Sequence, residues 1–373
     1  MKFIISPGKY NSQIDRAKIS ESISQGIWNA IPDAEIATMP VSDNEYGVSS
    51  LVYHTIGGRW ISTPFFDAFW QNKMGSYLYT TIDSQETAII DTEQVVGLSL
   101  AENKSKTELF HATSYGIGEM MLDAVTNGIK NIVICLGKTS IADGGIGALQ
   151  ALGAKVRDES GNLIPQGENP LINAFDVELE SVKELLSDRV KVTILLNYAD
   201  SIKEQQKREE LNEAQTSYLL DSLMFITEKM NRKYHLELHP EVSTDAIKTV
   251  AGAFAMIDAE ILRSSFEWVA HVTGMDQVIR SADILISAAE DISEEFMHDD
   301  IMYYFNQTAG KSAIPTFALC NNFSDDFDNS AQLFTGIFST RMSEYEDKDD
   351  QEKLYKNYET TARQLGRTVQ RFS

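Results

Sequence analysis

Residues 131–155, N-I-V-I-C-L-G-K-T-S-I-A-D-G-G-I-G-A-L-Q-A-L-G-A-K, decide the fold class. The run from Ile132 to Leu136 is continuously apolar, as a parallel strand covered on both faces must be. A glycine-rich turn and a stretch of small, helix-forming residues follow it. Gly144, Gly145 and Gly147 let the backbone turn tightly and bring free N–H groups at a helix start toward an anion. A second reading fits equally well: Asp143 caps the helix and the glycines pack it against the sheet.

Similar apolar runs recur on both sides of this segment. Candidate strands are Lys2 to Ser6, Glu35 to Val41, Thr87 to Asp91, Lys191 to Asn197, Ile284 to Ala288 and Thr316 to Cys320. Helical periodicity lies between them, near 12–30, 107–127, 145–153, 176–187, 208–232, 248–264 and 350–371. In the last of these, Leu354, Tyr358, Leu365, Val369 and Phe372 keep the helical spacing. Strands alternating with helices predict an α/β fold with parallel sheets and crossover helices. The length of 373 residues favours two domains over one.

Charge narrows the partners. With 32 Lys and Arg against 55 Asp and Glu, the net charge of −23 repels nucleic acid and anionic membranes. A phosphate site must then be locally neutral or basic, and Gly137-Lys138-Thr139-Ser140 offers such a place. No run of about 18 apolar residues occurs, so no membrane span is expected. The opening M-K-F-I-I-S-P has too short an apolar run for a signal peptide. Cys135 and Cys320, the only cysteines, sit in apolar runs and read as reduced core residues of a cytoplasmic protein.

Four segments just beyond strands carry candidate chemistry, and ligands of open α/β sheets gather at carboxyl ends of strands. S-P-G-K-Y-N-S at 6–12 offers Lys9, although the turn is also an ordinary strand-to-helix connection. M-P-V-S-D-N-E-Y-G-V at 39–48 offers Asp43 and Glu45, residues that also form common turns. A-T-S-Y-G-I-G-E at 112–119 offers Ser114 and the amides of Gly116 and Gly118, which helix packing explains as well. The fourth is the opening segment, with Lys138, Thr139, Ser140 and Asp143. A zinc reading of His235 and His239 lacks further ligands nearby, since Tyr234 to His239 alternates as a strand would. A P-loop fails on spacing, and no Gly-x-Ser-x-Gly elbow occurs.

Taken in order, these segments resemble the bacterial glycerate kinases of the two-domain type. L-G-K-T-S-I-A-D-G-G-I-G-A-L-Q-A-L-G-A-K is similar to a family signature close to G-I-G-G-S-A-T-N-D-G-G-A-G-M-L-Q-A-L-G-A. K-F-I-I-S-P-G-K-Y-N-S resembles an opening near K-I-V-I-A-P-D-S-F-K-G-S, and V-S-D-N-E-Y-G resembles V-A-D-G-G-E-G. T-S-Y-G-I-G-E-M-M-L-D-A resembles T-T-Y-G-T-G-E-L-I-R-D-A. The resemblance implies two α/β domains with the active site in a cleft between them. One domain, Rossmann-like, would comprise 1–75 plus 280–373, and the other would be inserted at 76–279. It further implies transfer of a phosphoryl group from ATP, with Mg2+, to glycerate or a related small hydroxy acid. Small organic acid and nucleotide are then the partners. By position it marks Asp43 and Asp143 as catalytic. Lys9, Gly47, Ser114, Gly116, Gly118, Lys138, Thr139, Ser140, Gly144 and Gly145 would bind substrate or phosphate, and no residue is assigned to a resident metal.

Many polar residues of the family pattern are replaced. Gly8 stands for Asp, Asn11 for Lys, Tyr46 for Glu, and Ile141 and Ala142 for Thr-Asn. Where T-G-E-G-R-L-D is expected the chain reads S-A-A-E-D-I-S, so Ala289 replaces Glu and Asp291 replaces Arg. Downstream, Asp299-Asp300 replaces Gly-Lys. Losing one preorganised charge at a transferring phosphate costs ~3 kcal/mol of barrier. The sequence therefore predicts an impaired or altered kinase. The alternative is a non-catalytic binding or regulatory protein on the same scaffold.

Overall fold

A computed structural model describes residues 1–8, 10, 14–39, 47–137, 139–186, 189–196, 211–236, 251–262, 265–292, 301–323, 333–341 and 351–372. Its first strands are β1 (Lys2–Pro7), β2 (Glu35–Thr38), β3 (Arg59–Phe66), β4 (Asn72–Ile82), β5 (Gln85–Asp91) and β6 (Asn131–Leu136). They are followed by β7 (Lys155–Arg157), β8 (Asp176–Glu178), β9 (Lys191–Leu196) and β10 (Glu260–Leu262). The last are β11 (Ile284–Ile292), β12 (Thr316–Phe323) and β13 (Gly336–Ser339). The chain divides into two compact units, Met1–Asp43 with Phe266–Ser373, and Asn44–Ser265. The sequence expectation divided it at 75/76 and 279/280; the pairing of β3 with β4 joins 59–66 to the inserted unit.

The unit made of both chain ends is a five-stranded parallel sheet in the order β13-β12-β11-β1-β2. Phe3 and Ile5 of β1 pack with Ile19, Ile23 and Ile27 and with Tyr358, Ala362 and Leu365. These last six come from the helices Arg16–Ala30 and Gln351–Phe372, both anticipated from periodicity. Asp15 starts the first helix by accepting from the N–H groups of Ala17 and Lys18. The chain leaves β1 toward β2 on one side and later returns to β11 on the other. The carboxyl ends of β1 and β11 therefore form the topological switch point of this sheet.

The inserted unit holds a six-stranded sheet, β10-β9-β6-β5-β4-β3, and the small hairpin β7-β8. Strands β10, β9, β6 and β5 are parallel; β4 pairs antiparallel with β5, and β3 pairs antiparallel with β4. Buried Ile132, Ile134 and Leu136 put β6 inside the unit's core. The hairpin β3–β4 has no continuous apolar run, because burial along it is confined to a few residues, and Pro64 fits its edge strand. A helix at Gly47–Ile56 also went unpredicted. The strand-like alternation read at Tyr234 to His239 is corrected: Tyr234 ends the helix Glu213–Tyr234, and His235 terminates it in a left-handed conformation with φ 51°. His239 lies outside the described residues. The helix expected at 176–187 begins instead with β8, and the one at 248–264 ends in β10.

The helices Arg16–Ala30 and Gln351–Phe372 approach so closely at Gly26 that a Cβ there would lie 2.2 Å from the Glu359 carbonyl oxygen. Replacing Gly26 by Ala must push the helices apart. It is expected to lower the unfolding free energy by about 1–3 kcal/mol, read as a lower urea midpoint at unchanged m-value.

Candidate functional site

Asp143 is fully buried, and four hydrogen-bond donors reach its carboxylate. Its Oδ2 accepts from Ser114 N (2.7 Å), Ser114 Oγ (2.9 Å) and Thr113 Oγ1 (3.2 Å), and its Oδ1 accepts from Gly145 N (2.9 Å). Ser114 Oγ in turn accepts from Ala148 N at 2.9 Å. One carboxylate thus joins the starts of the helices Tyr115–Thr126 and Ile146–Ala151, the two segments the sequence had marked separately. Burial raises the pKa of Asp143, opposed by the bonds from Ser114, Gly145 and Thr113.

The glycines around it serve close approach. A Cβ on Gly118 would fall 2.1 Å from the Ala148 carbonyl oxygen, and one on Gly116 would fall 2.1 Å from that of Phe66. Gly144 and Gly145 have φ of 60° and 83°, a region open to glycine at little cost. Ser140 turns inward, its N and Oγ both donating to the Val96 carbonyl (2.8 and 3.0 Å), and Thr139 bridges to Gly97. Ile141 and Ala142, which replace two polar residues of the family pattern, belong to the hydrophobic core. The structure therefore brings Ser114, Gly118, Asp143, Gly144 and Gly145 together and ties Thr139 and Ser140 to residues 96–97. Lys9, Asp43 and Lys138 lie outside the described residues.

Gly47 leads to a residue that sequence reasoning passed over. Asp91, at the carboxyl end of β5, accepts from the N–H groups of Val48 (3.1 Å) and Ser49 (3.2 Å) and from the Ser49 hydroxyl. The Cys135 thiol, its register partner on β6, also donates to it. Gly47, at φ 66°, would drive a Cβ into this carboxylate. Burial raises the Asp91 pKa, and burial beside Asp91 pushes the Cys135 thiol well up. An acid closing an apolar strand was the readable signal.

At the switch point of the other unit, Gly8 N donates to the Ala288 carbonyl at 2.6 Å. The Tyr10 hydroxyl donates to that of Tyr358 (2.7 Å), which donates to the Ala289 carbonyl (2.8 Å). Asp291, where the family pattern has Arg, accepts from Asn322 Nδ2 at 2.8 Å. Among the described residues no three His, Cys, Asp or Glu side chains cluster as metal ligands. Asp91 and Asp143 already accept several hydrogen bonds each. No helix among the described residues is long and apolar enough to cross a membrane.

Two α/β units, one assembled from both chain ends and the other inserted, each with crossover-connected parallel strands and polar groups at their carboxyl ends, define the class of protein. The chain belongs to the glycerate kinase family, whose sequence model matches residues 3–370. It is similar to glycerate 2-kinase of Escherichia coli (strain K12), 27% identical over 339 residues that cover 87% of this chain and 86% of that one. Glycerate kinase of Haemophilus influenzae is 24% identical over 340 residues, covering 88% of each. A crystal structure of a candidate glycerate kinase 2 from Salmonella typhimurium LT2 has a TM-score of 0.77 at 21% identity. It covers 100% of this chain and 99% of that one, which supports the fold.

Replacing Asp143 by Ala strands four donated hydrogen bonds in the core and is expected to cost about 3–5 kcal/mol in urea unfolding. The raised pKa of Asp91 fixes a pH dependence. A carboxyl with folded pKa above its ordinary 3.8 contributes its full stability below that value and loses it as pH rises through the raised one. As pH rises from about 4 through the raised pKa, the wild type should lose stability relative to Asp91→Asn, measured as urea midpoints.

Proposed function

We propose that the protein is a phosphotransferase of the glycerate kinase type, acting with ATP and a small hydroxy acid such as glycerate, with a site altered from the family pattern. The family match over 3–370 supports the reaction class. The observation that carries the alteration is the burial of Ile141 and Ala142 in the core, which leaves the β6 turn without the two polar side chains of the pattern. Asp291 beside Asn322 supports the same reading, because it sets an anionic group where the pattern has a cation. Phosphoryl transfer depends mainly on positioning and charge neutralisation, so these losses fall on the rate.

In this reading Asp143 is a positioning residue. Its oxygens hold Ser114, Thr113 and Gly145, and its side chain is fully buried. ATP enters as co-substrate with magnesium on its phosphates, and no step is assigned to a resident metal. Asp43 and Lys9, from the acidic loop and the opening turn, are the groups proposed to face the substrate and the phosphates.

The test is ADP release from ATP–magnesium with glycerate. Turnover well below the ~1 s⁻¹ floor of ordinary kinases is expected, and turnover at or above it removes the altered-site reading. Asp291→Arg, which restores the cation at an exposed position, should tighten ATP binding in calorimetric titration.

A further inference from the structure

The amino ends of β9 and β10 frame a cavity that the kinase reading does not use. It holds about 430 Å3 and lies between Lys191 at the start of β9, Glu260 at the start of β10 and Lys183 on the helix Glu180–Leu186. Asp91 and Asp143 stand at the opposite, carboxyl edge of the same sheet. From Lys191 to Leu196, β9 alone spans about 17 Å between the two edges. A small ligand in this cavity therefore does not meet the groups around those two acids.

The charges on the cavity are held apart. Lys191 and Glu260 neutralise each other at 2.8 Å. Lys183, Arg189 and Asp258 remain, and none of the three forms an ion pair within 4.0 Å among the described residues. Lys183 sits over the Tyr234 ring, 4.7 Å from its centroid. That ring is fixed in turn, because its hydroxyl accepts from Leu179 N (2.8 Å) and donates to Glu180 Oε1 (2.9 Å). An aromatic face positions an ammonium without neutralising it. Asp258 is set by its backbone, left-handed at φ 59° in the turn where Ile257 N and Ala259 N both donate to the Phe254 carbonyl (3.1 and 3.2 Å). Leu186 and Val192, both core residues, give the same cavity an apolar wall.

We propose that this cavity binds a small zwitterion with an apolar body, namely an α-amino acid with an aliphatic side chain. Arg189 and Lys183 take its carboxylate, Asp258 takes its ammonium, and its side chain lies on Leu186 and Val192. The guanidinium fork suits a carboxylate, and an apolar wall with a few placed charges is the usual make-up of a small-molecule site. A plain anion would face Asp258 unpaired, and a plain amine would face two cations. The inference is independent of the kinase reading.

The full chain is titrated calorimetrically with leucine and with 4-methylpentanoate, which keeps the body and the carboxylate and lacks the ammonium. The wild type should bind leucine, and 4-methylpentanoate about tenfold more weakly. Arg189→Ala and Lys183→Ala should each weaken leucine binding about tenfold. Asp258→Asn should bring the two ligands to equal affinity, because the ammonium has lost its partner. Asparagine tolerates the left-handed backbone, and Arg189 and Asp258 are exposed, so unchanged melting temperatures are expected for these two variants. Should Lys183→Ala lose the fold, they decide. Saturating ATP–magnesium and glycerate should leave leucine affinity unchanged. Absence of leucine binding by the wild type, undiminished affinity in Arg189→Ala, or a preference for leucine that survives Asp258→Asn overturns the proposal. Tighter binding of 4-methylpentanoate than of leucine also overturns it, leaving a plain anion site. Competition by ATP or glycerate overturns it by moving leucine to the phosphoryl-transfer site. Binding is read without turnover, so failure of the kinase reading leaves this test intact.

Discussion

The inserted unit turns on a charge that has been taken out of water. An ionised carboxylate in the core is tolerated only when donors replace its hydration, and Asp143 receives four of them from two helix starts. Helix starts are where backbone N–H groups lack partners, so the two needs meet in one place. The helices can approach that closely because Gly118 faces the Ala148 carbonyl and Gly147 leaves room for Thr113 Oγ1. Electrostatics and small-residue packing are therefore one constraint: a side chain on either glycine would displace the helix whose amides satisfy the carboxylate.

A second buried acid repeats the arrangement at the neighbouring strand. Asp91 collects the first amides of the helix Gly47–Ile56, together with the Ser49 hydroxyl and the Cys135 thiol. Both acids lie at or just beyond the carboxyl ends of adjacent parallel strands, β5 and β6. That edge of the sheet is therefore ordered by internal anions before any ligand arrives.

Much of this was legible in the sequence, for identifiable reasons. The continuous apolar runs of β6, β9 and β11 announce strands covered on both faces, and the α/β class follows from their alternation with helices. The final helix is visible because its apolar spacing is strict. The hairpin β3–β4 was hidden because its strands mix polar and apolar residues without a regular alternation, and Tyr77 and Leu78 are buried in succession. Asp91 was hidden by its surroundings, since nothing in its neighbours announces that Gly47–Ser49, more than 40 residues away, will cover it.

Asp143 also shows how a family signature should be weighed. The D-G-G segment is the most specific stretch of the resemblance, yet in this chain its oxygens, amide and glycines are accounted for by interactions within the unit. A motif maintained by packing persists whether or not the reaction does, because its loss would strand buried donors and separate two helices. The polar side chains of the family pattern that differ here, at 141, 142, 289 and 291, face no such penalty for being exchanged. Ile141 and Ala142 lie buried in the core. Residues under a folding constraint therefore persist with the fold, so the D-G-G signature by itself carries little information about the reaction.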